Sequence, residues 1–432
     1  AIEFRLIDLT INMFAQPVLD LDLAVLENHL ENVVLRKQEL LNACEANKET
    51  LMSNPKFAEE LISLGVDPPM KISPRTGKQT FAFSKTDEKF KDLQNHPNQK
   101  VQTLVAARLG TKSTLEETRT QRFMDIGNRG RLPVPLKYYA AHTGRWGGSD
   151  NVNLQNIPRN SVLKQAIQAP KGFVIVSSDS SQIEARVLAW LAGQNNLVEA
   201  FANGDDVYKM MASKIFLKDI RDINKEERFV GKTTILGCGY GMGAKKFSNQ
   251  LKAFGMLVDV ERCKKIVYTY RKAVPFIPQF WRHAQDGLEA IIQGKYLQIT
   301  KQKQALDIIP NVGFDLPNKL QLRYPDLKKE QDSSGEYYYS YKSKKDRINI
   351  YGGKVVENIC QAVARCVIGE QMLRVAKRYK VVMTVHDAVT CIAPEQEAEE
   401  AAEYVTKCME WRPDWCQGLP LNCETEYGKS YG

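Results

Sequence analysis

Phe173-Val174-Ile175-Val176-Ser177-Ser178-Asp179-Ser180-Ser181-Gln182-Ile183-Glu184-Ala185-Arg186 is the stretch on which the fold turns. Its first four residues are continuously apolar, the pattern of a short buried strand. Helical texture begins at Ser181 and runs to about Ala192, so Asp179 stands where a strand gives way to a helix. A carboxylate in that place lies at a rim, open to solvent, where a divalent ion can reach it. A plain helix cap is the rival reading of the same residue.

A second carboxylate has a similar setting. Val381 to Val385 and Ala388 to Ile392 read as two strands meeting at His386-Asp387. Asp is also common in turns for its own hydrogen bonds. The pair says more than either member. Two strand-end carboxylates, 208 positions apart (387 minus 179), on one sheet would suit two magnesium ions in an in-line phosphoryl displacement.

Between them, Arg228, Lys232, Leu236 and Tyr240 recur at steps of four, followed by Gly241. On a helix such residues form one slowly turning stripe. Arg228 offers a fork and Lys232 a compact charge, which suits a polyphosphate. A surface stripe with an apolar end is the alternative. A phosphate-cradling loop at Gly237-x-Gly239-x-Gly241-x-Gly243 lacks a preceding strand and the dinucleotide-binding spacing. Upstream, Thr143-Gly144-Arg145-Trp146 leads into Asn153-Leu154-Gln155-Asn156-Ile157-Pro158, whose amides carry donors and acceptors for base edges and sugars. An ordinary amide-rich loop is the other reading.

That loop lies in a basic stretch. Lys100 to Gly172 holds 12 Lys and Arg against four acids, a surplus of +8 within a chain of net charge +9. Such a patch would attract a polyanion with salt-dependent affinity, unless it is only a solvated surface. The 432 residues are too many for one typical domain and imply two or three units around one cleft. With 43% hydrophobic and 26% charged residues, the composition excludes a collagen-like, mucin-like or wholly disordered chain. No run of about 18 apolar residues occurs, so no membrane partner is expected. The first 20 residues lack the pattern of a signal peptide, and the start at Ala1 points to a processed or trimmed product. Nine scattered cysteines, an odd number with no Cys-x-x-Cys, read as reduced thiols in a cytosol-like compartment.

Outward from these motifs, Asp22 caps an expected helix from Leu23 to about Ala46. A second helix spans Lys56 to Leu64, Ile72 to Ser84 with Pro74 and Gly77 reads as a polar loop, and helices return from Asp87 to about Ile126. Further helices are expected over Val207–Phe216, capped by Asp205 or Asp206, then through Ile292 and over Val355–Lys377. Leu320–Tyr324 and Tyr337–Tyr341 read as a hairpin flanking Asp332-Ser333-Ser334-Gly335.

Taken in order, the four motifs resemble family A DNA polymerases, the polymerase I type, and most closely their phage-like branch. The resemblance runs from about Val18 to the end of the chain. It implies an α+β right-hand fold: a mainly helical thumb over residues 1–130, a first part of the palm over 131–183, mainly fingers over 184–311, and a second part of the palm with a hairpin insertion over 312–432. It implies a template-directed DNA polymerase that adds dNTPs to a primer, with primer–template DNA and dNTPs as partners and two Mg2+ ions as cofactors. Asp179 and Asp387 are then the metal ligands, assisted by the Ser180 carbonyl. One ion lowers the pKa of the primer 3′-hydroxyl and the other stabilises the pyrophosphate. Lys232 is catalytic at the leaving phosphate, and Arg228 grips the triphosphate. Gln182, Tyr208, Leu236 and Tyr240 also touch the nucleotide, and Glu184 blocks a 2′-hydroxyl. Arg145, Asn153, Gln155, Asn156, Gly241 and Gln361 meet primer–template, and His386 the primer end.

Four departures from the family pattern stand out. Leu236 replaces an aromatic residue, Ala388 a Glu, Tyr208 a His, and Glu357 an Asn. Two other readings stay open: a single-subunit RNA polymerase, and a primer–template-binding protein impaired in catalysis. Glu184 argues against the first, and the retained Asp pair against the second. With about 20 residues ahead of the first expected helix, the chain is not expected to proofread. A processivity factor or a separate exonuclease would be a further partner. The setting implied is the cytoplasm of a bacterium or a phage-infected cell.

Overall fold

The computed structural model describes residues 2–73, 76–302, 304–344 and 346–432. It combines helices with small antiparallel sheets, so the α+β expectation holds. The chain divides into two compact units. The smaller comprises residues 19–132 and 157–168 with Gly432, and the larger holds the rest.

The smaller unit is mainly helical. Asp22 accepts from the Val25 N–H at 3.1 Å and starts the helix Leu23–Asn42. Ser53 starts Asn54–Ser63, with Pro55 in its first turn, where a missing N–H costs nothing. The expected loop over 72–84 is corrected: Met70–Ile72 and Gln79–Phe81 pair antiparallel. Pro74 itself lies outside the described residues. The pairing brings Phe83 within 5.0 Å of Phe57 and 5.4 Å of Phe90, ring centre to ring centre. Aromatic burial therefore outweighs the turn-rich composition.

Arg108 lies at the centre of this cluster, 0% exposed. It donates to the carbonyls of Leu51 and Ser53 and to the Asn54 side chain. Its guanidinium sits 4.4 Å from the Phe57 ring centre and 5.1 Å from that of Phe83. Burial pulls its pKa down to about 10. The basic stretch is thus not one patch. Arg108 is interior, Lys100 pairs with Glu45 at 2.9 Å, and Arg131 with Asp20 at 3.4 Å. Lys137, Arg145 and Lys171 belong to the larger unit.

The larger unit is built on a four-stranded antiparallel sheet. We label its strands β1 (Phe173–Ser180), β2 (Lys380–Val385), β3 (Ala388–Pro394) and β4 (Cys423–Gly428), in spatial order β2-β3-β1-β4. Most residues of β1 and β3 are buried on successive positions, as a sheet covered on both faces requires. The helices α1 (Ile183–Ala192), α2 (Val207–Phe216), α3 (Lys225–Cys238), α4 (Phe276–Ile292) and α5 (Gly352–Val375) complete the frame. α5 and the helix Ala398–Glu410 pack on the sheet. The expected hairpin around Asp332–Gly335 is half corrected. Tyr337–Lys342 pairs across that turn with Lys328–Gln331, whereas Gln321–Arg323 pairs with Gly313–Asp315. Phe314 and Leu322, both 0% exposed, drive the latter pairing.

All nine cysteines are free. No helix among the described residues is long and apolar enough to cross a membrane.

Arg108→Ala is expected to destabilise the smaller unit by about 3 kcal/mol, through a cavity between two rings and carbonyls left without donors. Faster amide hydrogen exchange over residues 48–63, with the sheet of the larger unit unchanged, is the check.

Candidate active site

β1 and β3 pair so that Asp179 faces Ala388, the residue after Asp387. The Ser180 N–H donates to the Asp387 carbonyl at 3.1 Å. Backbone pairing alone therefore sets the two carboxylate residues at adjoining strand ends. The β2–β3 connection is the two-residue turn His386-Asp387, with His386 at φ +53°. A positive φ is what tight hairpin turns demand, because it matches the strand twist. Nε2 of His386 donates to the Gln155 carbonyl at 3.0 Å, tying the turn to the amide-rich loop. Asp179 is exposed.

Arg145 joins the cluster from the loop before β1. Its Nη2 lies 2.5 Å from Glu184 Oε1 and 3.0 Å from Asp387 Oδ1. The three side chains are only 22–26% exposed, so solvent screens this bridge weakly. Burial opposes the charge on Arg145, but Asp387 and Glu184 raise its pKa on balance. Burial raises the Glu184 pKa, Arg145 offsets part of that, and the Asp387 charge adds to it. Gly144 holds Arg145 in place. It has φ +80°, and a Cβ there would lie 2.6 Å from the Tyr139 ring. Its carbonyl accepts from Arg365 Nε at 3.1 Å, and Arg365 is itself paired with Glu3.

Tyr240 Oη donates to Glu184 Oε2 at 3.4 Å. Burial pushes this hydroxyl well above the usual tyrosine range, and Cys360 and Glu184 add to the shift. α3 ends at Cys238, so Tyr240 follows the helix instead of riding on it. Gly237 lies inside α3, which removes the glycine-loop reading. Gly241 takes φ +83°.

Arg228, Lys232 and Tyr208 form a second cluster, on α2 and α3. Asn224 and Glu227 close a capping box at the start of α3. Arg228 Nε meets Asp206 Oδ2 at 2.6 Å, while Asp206 also caps α2 through the N–H groups of Tyr208 and Lys209. Burial would raise the Asp206 pKa, but Arg228 and the cap bonds bring it below the usual range. Tyr208 is 5% exposed, with Arg228 5.3 Å and Lys232 6.0 Å from its ring centre. It is a platform under the two cations. Leu236 is 40% exposed on the same stripe.

Of the remaining predicted residues, Gln361 lies on α5 and accepts from Thr143 Oγ1 at 3.4 Å. Gln155 and Asn156 fall in a single helical turn, Leu154–Asn156. Gln182 holds φ +48° at the start of α1. Asn153 Oδ1, Ser180 Oγ and Arg145 Nε are buried without a hydrogen-bond partner. Two groups escaped the sequence reading. Asp206 was visible only as a cap, although an acid at a cap can also hold a cation. Tyr431, whose hydroxyl is pushed to about 12 by burial and by the Asp179 charge, carried no signal.

Among the described residues no group of three or more His, Cys, Asp or Glu is placed to hold a metal. Asp179 and Asp387, with the backbone of Ser180 between their strand ends, are the donors the resemblance assigns to the metals. That set fits Mg2+, which is commonly held by one or two carboxylates together with water and substrate phosphates.

The chain belongs to DNA polymerase family A, whose sequence model matches residues 23–432. It is 30% identical over 342 residues to the DNA polymerase of Bacillus phage SP02, covering 68% of this chain and 52% of the phage protein. It is 29% identical over 313 residues to the thermostable DNA polymerase I of Thermus thermophilus, covering 70% of this chain and 32% of the relative. The chain thus spans about half the length of the first relative and about a third of the second. Among solved structures, it matches the POL domain of Pol1 from M. smegmatis in complex with DNA primer-template and dNTP. The TM-score is 0.68 and the identity 21%, over 98% of this chain and 68% of that one. The fold is therefore the polymerase-domain fold implied by the order of the motifs, and the family match does not favour the single-subunit RNA polymerase.

Gly231 is where α3 touches α2, since a Cβ there would lie 2.1 Å from the Tyr208 carbonyl oxygen. Gly231→Ala is expected to force the two helices apart at a cost of about 2 kcal/mol. A lowered thermal midpoint is the signature; an unchanged midpoint would contradict the packing.

Proposed function

We propose that this chain is a DNA-directed DNA polymerase that extends a primer by nucleotidyl transfer from dNTPs, with divalent metal ions at Asp179 and Asp387. The observation that carries the reading is the convergence of these two residues on adjoining strand ends in a chain of family A. When bound, two magnesium ions would supply charge stabilisation for the attacking and leaving oxygens of an in-line displacement.

The protein's own groups supply the positioning. Arg228 and Lys232, seated on the Tyr208 ring, bind the triphosphate, with Arg228 as the fork and Lys232 as the compact cation. Asp206 holds Arg228 in orientation. Leu236 gives apolar contact along the sugar and base, and Gln182 meets the nucleotide from the start of α1. Glu184, held between Arg145 and Tyr240, occupies the space of a 2′-hydroxyl. Arg145, Asn153, Gln155, Asn156, Gly241 and Gln361 meet primer–template, and His386 the primer end. In this reading the smaller unit is the thumb, the four-stranded sheet the palm, and α2 with α3 part of the fingers. The free thiols accord with a cytoplasmic setting.

Asp179→Ala and Asp387→Ala should each abolish primer extension while leaving primer–template affinity within about threefold, since other groups supply the phosphate contacts. Substantial extension by either variant would refute the site.

Glu184→Ala should raise the use of ribonucleotides relative to deoxynucleotides. Single-nucleotide kinetics on both sugars give the ratio; no change in it would remove Glu184 from the sugar pocket.

A further inference from the structure

We infer that Tyr351 is a base-stacking residue for the template strand, beside the base that pairs with the incoming nucleotide. The inference rests on the polymerase reading above and adds to it a residue that none of the four motifs contains.

Tyr351 precedes the long buried helix α5, yet it is 51% exposed. Its seat is built from glycine backbone. A Cβ on Gly241 would lie 3.7 Å from the Tyr351 ring and 3.9 Å from Gly353 Cα. A Cβ on Gly353 would lie 3.0 Å from the same ring and 2.5 Å from the Tyr240 carbonyl oxygen. The ring edge therefore runs along the Tyr240-Gly241 turn, in van der Waals reach of Gly241, and a side chain at Gly353 would crowd it.

The surroundings are fastened. The Gly352 N–H donates to Gln285 Oε1 at 2.6 Å, and a Cβ on Gly352 would lie 2.0 Å from the Trp281 carbonyl oxygen. Trp281 Nε1 donates to the Gly239 carbonyl at 2.7 Å. α4 thus clamps the end of α3 and the start of α5 together, and Tyr351 projects from the junction. A flat ring on a rigid base loses little conformational freedom when a second flat group stacks on it.

The geometry of α3 says which partner. Arg228 and Lys232 lie toward its start, Leu236 near its end, and Tyr240 past it. From Arg228 to Cys238 the helix rises about 15 Å. A nucleoside triphosphate laid along this stripe, phosphates on the cations, points its base toward Leu236 and Tyr240. The template base that pairs with it then lies beyond, toward Gly241 and Tyr351. Every base has a flat face, and an aromatic side chain stacks on it without sequence preference.

The test compares the wild-type protein, Tyr351→Ala and Tyr351→Phe on two probes: a primer–template with a 5′ template overhang, and a blunt duplex of the same sequence. Tyr351→Ala should lose about tenfold in affinity for the overhang probe and keep its affinity for the blunt one. Tyr351→Phe should stay within about twofold on both. With 5-iododeoxyuridine as the first unpaired template nucleotide, irradiation should cross-link wild type and Tyr351→Phe at position 351. Wild-type extension of the primer, with equal overhang affinity in Tyr351→Ala and a cross-link elsewhere, overturns this inference and leaves the polymerase reading intact. Failure of the wild type to extend the primer overturns the polymerase reading, and this inference with it.

Discussion

The antiparallel pairing of β1 with β3 is the constraint on which the site depends. Because Asp179 is opposite Ala388, Asp387 must fall at the mouth of the same sheet. No side-chain preference is needed, since the ladder fixes register and a one-residue slip would turn every side chain of the strand to the other face. Such a slip is strongly opposed. Val176, Val389, Thr390 and Cys391 are each 0% exposed, so a shifted register would break side-chain packing on both faces of the sheet. Core packing and carboxylate placement are one requirement here. A change that loosens the strand pairing would spoil the site before it touched either Asp.

Arg145 is the second organising group, and it works through charge. Asp387 and Glu184 come from different elements, and each is only partly exposed. Two carboxylates this close would repel and drive one toward the neutral form. Arg145 between them offsets part of that repulsion, although burial still raises the Glu184 pKa. The arginine is placed by structure behind it: Gly144 is pinned by Arg365, and Arg365 by Glu3 on the first helix, Ile2–Ala15. A chain of buried polar contacts thus runs from that helix to the carboxylates. The Arg365–Glu3 pair is enclosed, at 2–15% side-chain exposure, and against the opposing effect of burial each charge shifts the other's pKa toward the ionised form. Its role is orientation, and removing one partner would leave a buried charge unmet.

What could be read in advance followed local physics. The apolar run before Asp179, the hairpin around His386-Asp387 and the helix Val207–Phe216 each carry their signal within a few residues, and the structure shows all three. The misreadings share a different cause. Gln321–Arg323 is a strand, but its partner depends on burying Phe314 and Leu322 together, which alternation over three residues cannot reveal. The strand Cys423–Gly428 is polar and has no buried residue, so it exists because β1 offers an unpaired edge. The basic stretch was legible as a sum and illegible as a surface, because charge counting cannot tell that Arg108 is enclosed by phenyl rings. For the site, the residues were visible and their mutual contacts were not: neither partner of Arg145 lies within 38 positions of it.

The replacement at Ala388 can be understood from the same register. Residues directly opposite on paired strands share a face, so Asp179, Ala388 and Glu424 lie side by side on one face of the sheet. A Glu at position 388 would place a carboxylate next to Asp179 on the β3 side, with Asp387 adjacent in the chain and Glu424 already on the β4 side. Ala388 is 9% exposed, so such a charge would have to leave the sheet surface or be desolvated. Alanine removes that demand and leaves Glu424, which is exposed, as the acid opposite Asp179. Negative charge at the rim is then spread from Asp387 through Asp179 to Glu424, with Arg145 countering it at one end. Arg145 thus counters the charge at the Asp387 end, while Asp179 and Glu424 are exposed acids on the other side of the rim. Ala388 at this register therefore leaves the strand pairing of Asp179 intact without adding a fourth acid to the rim.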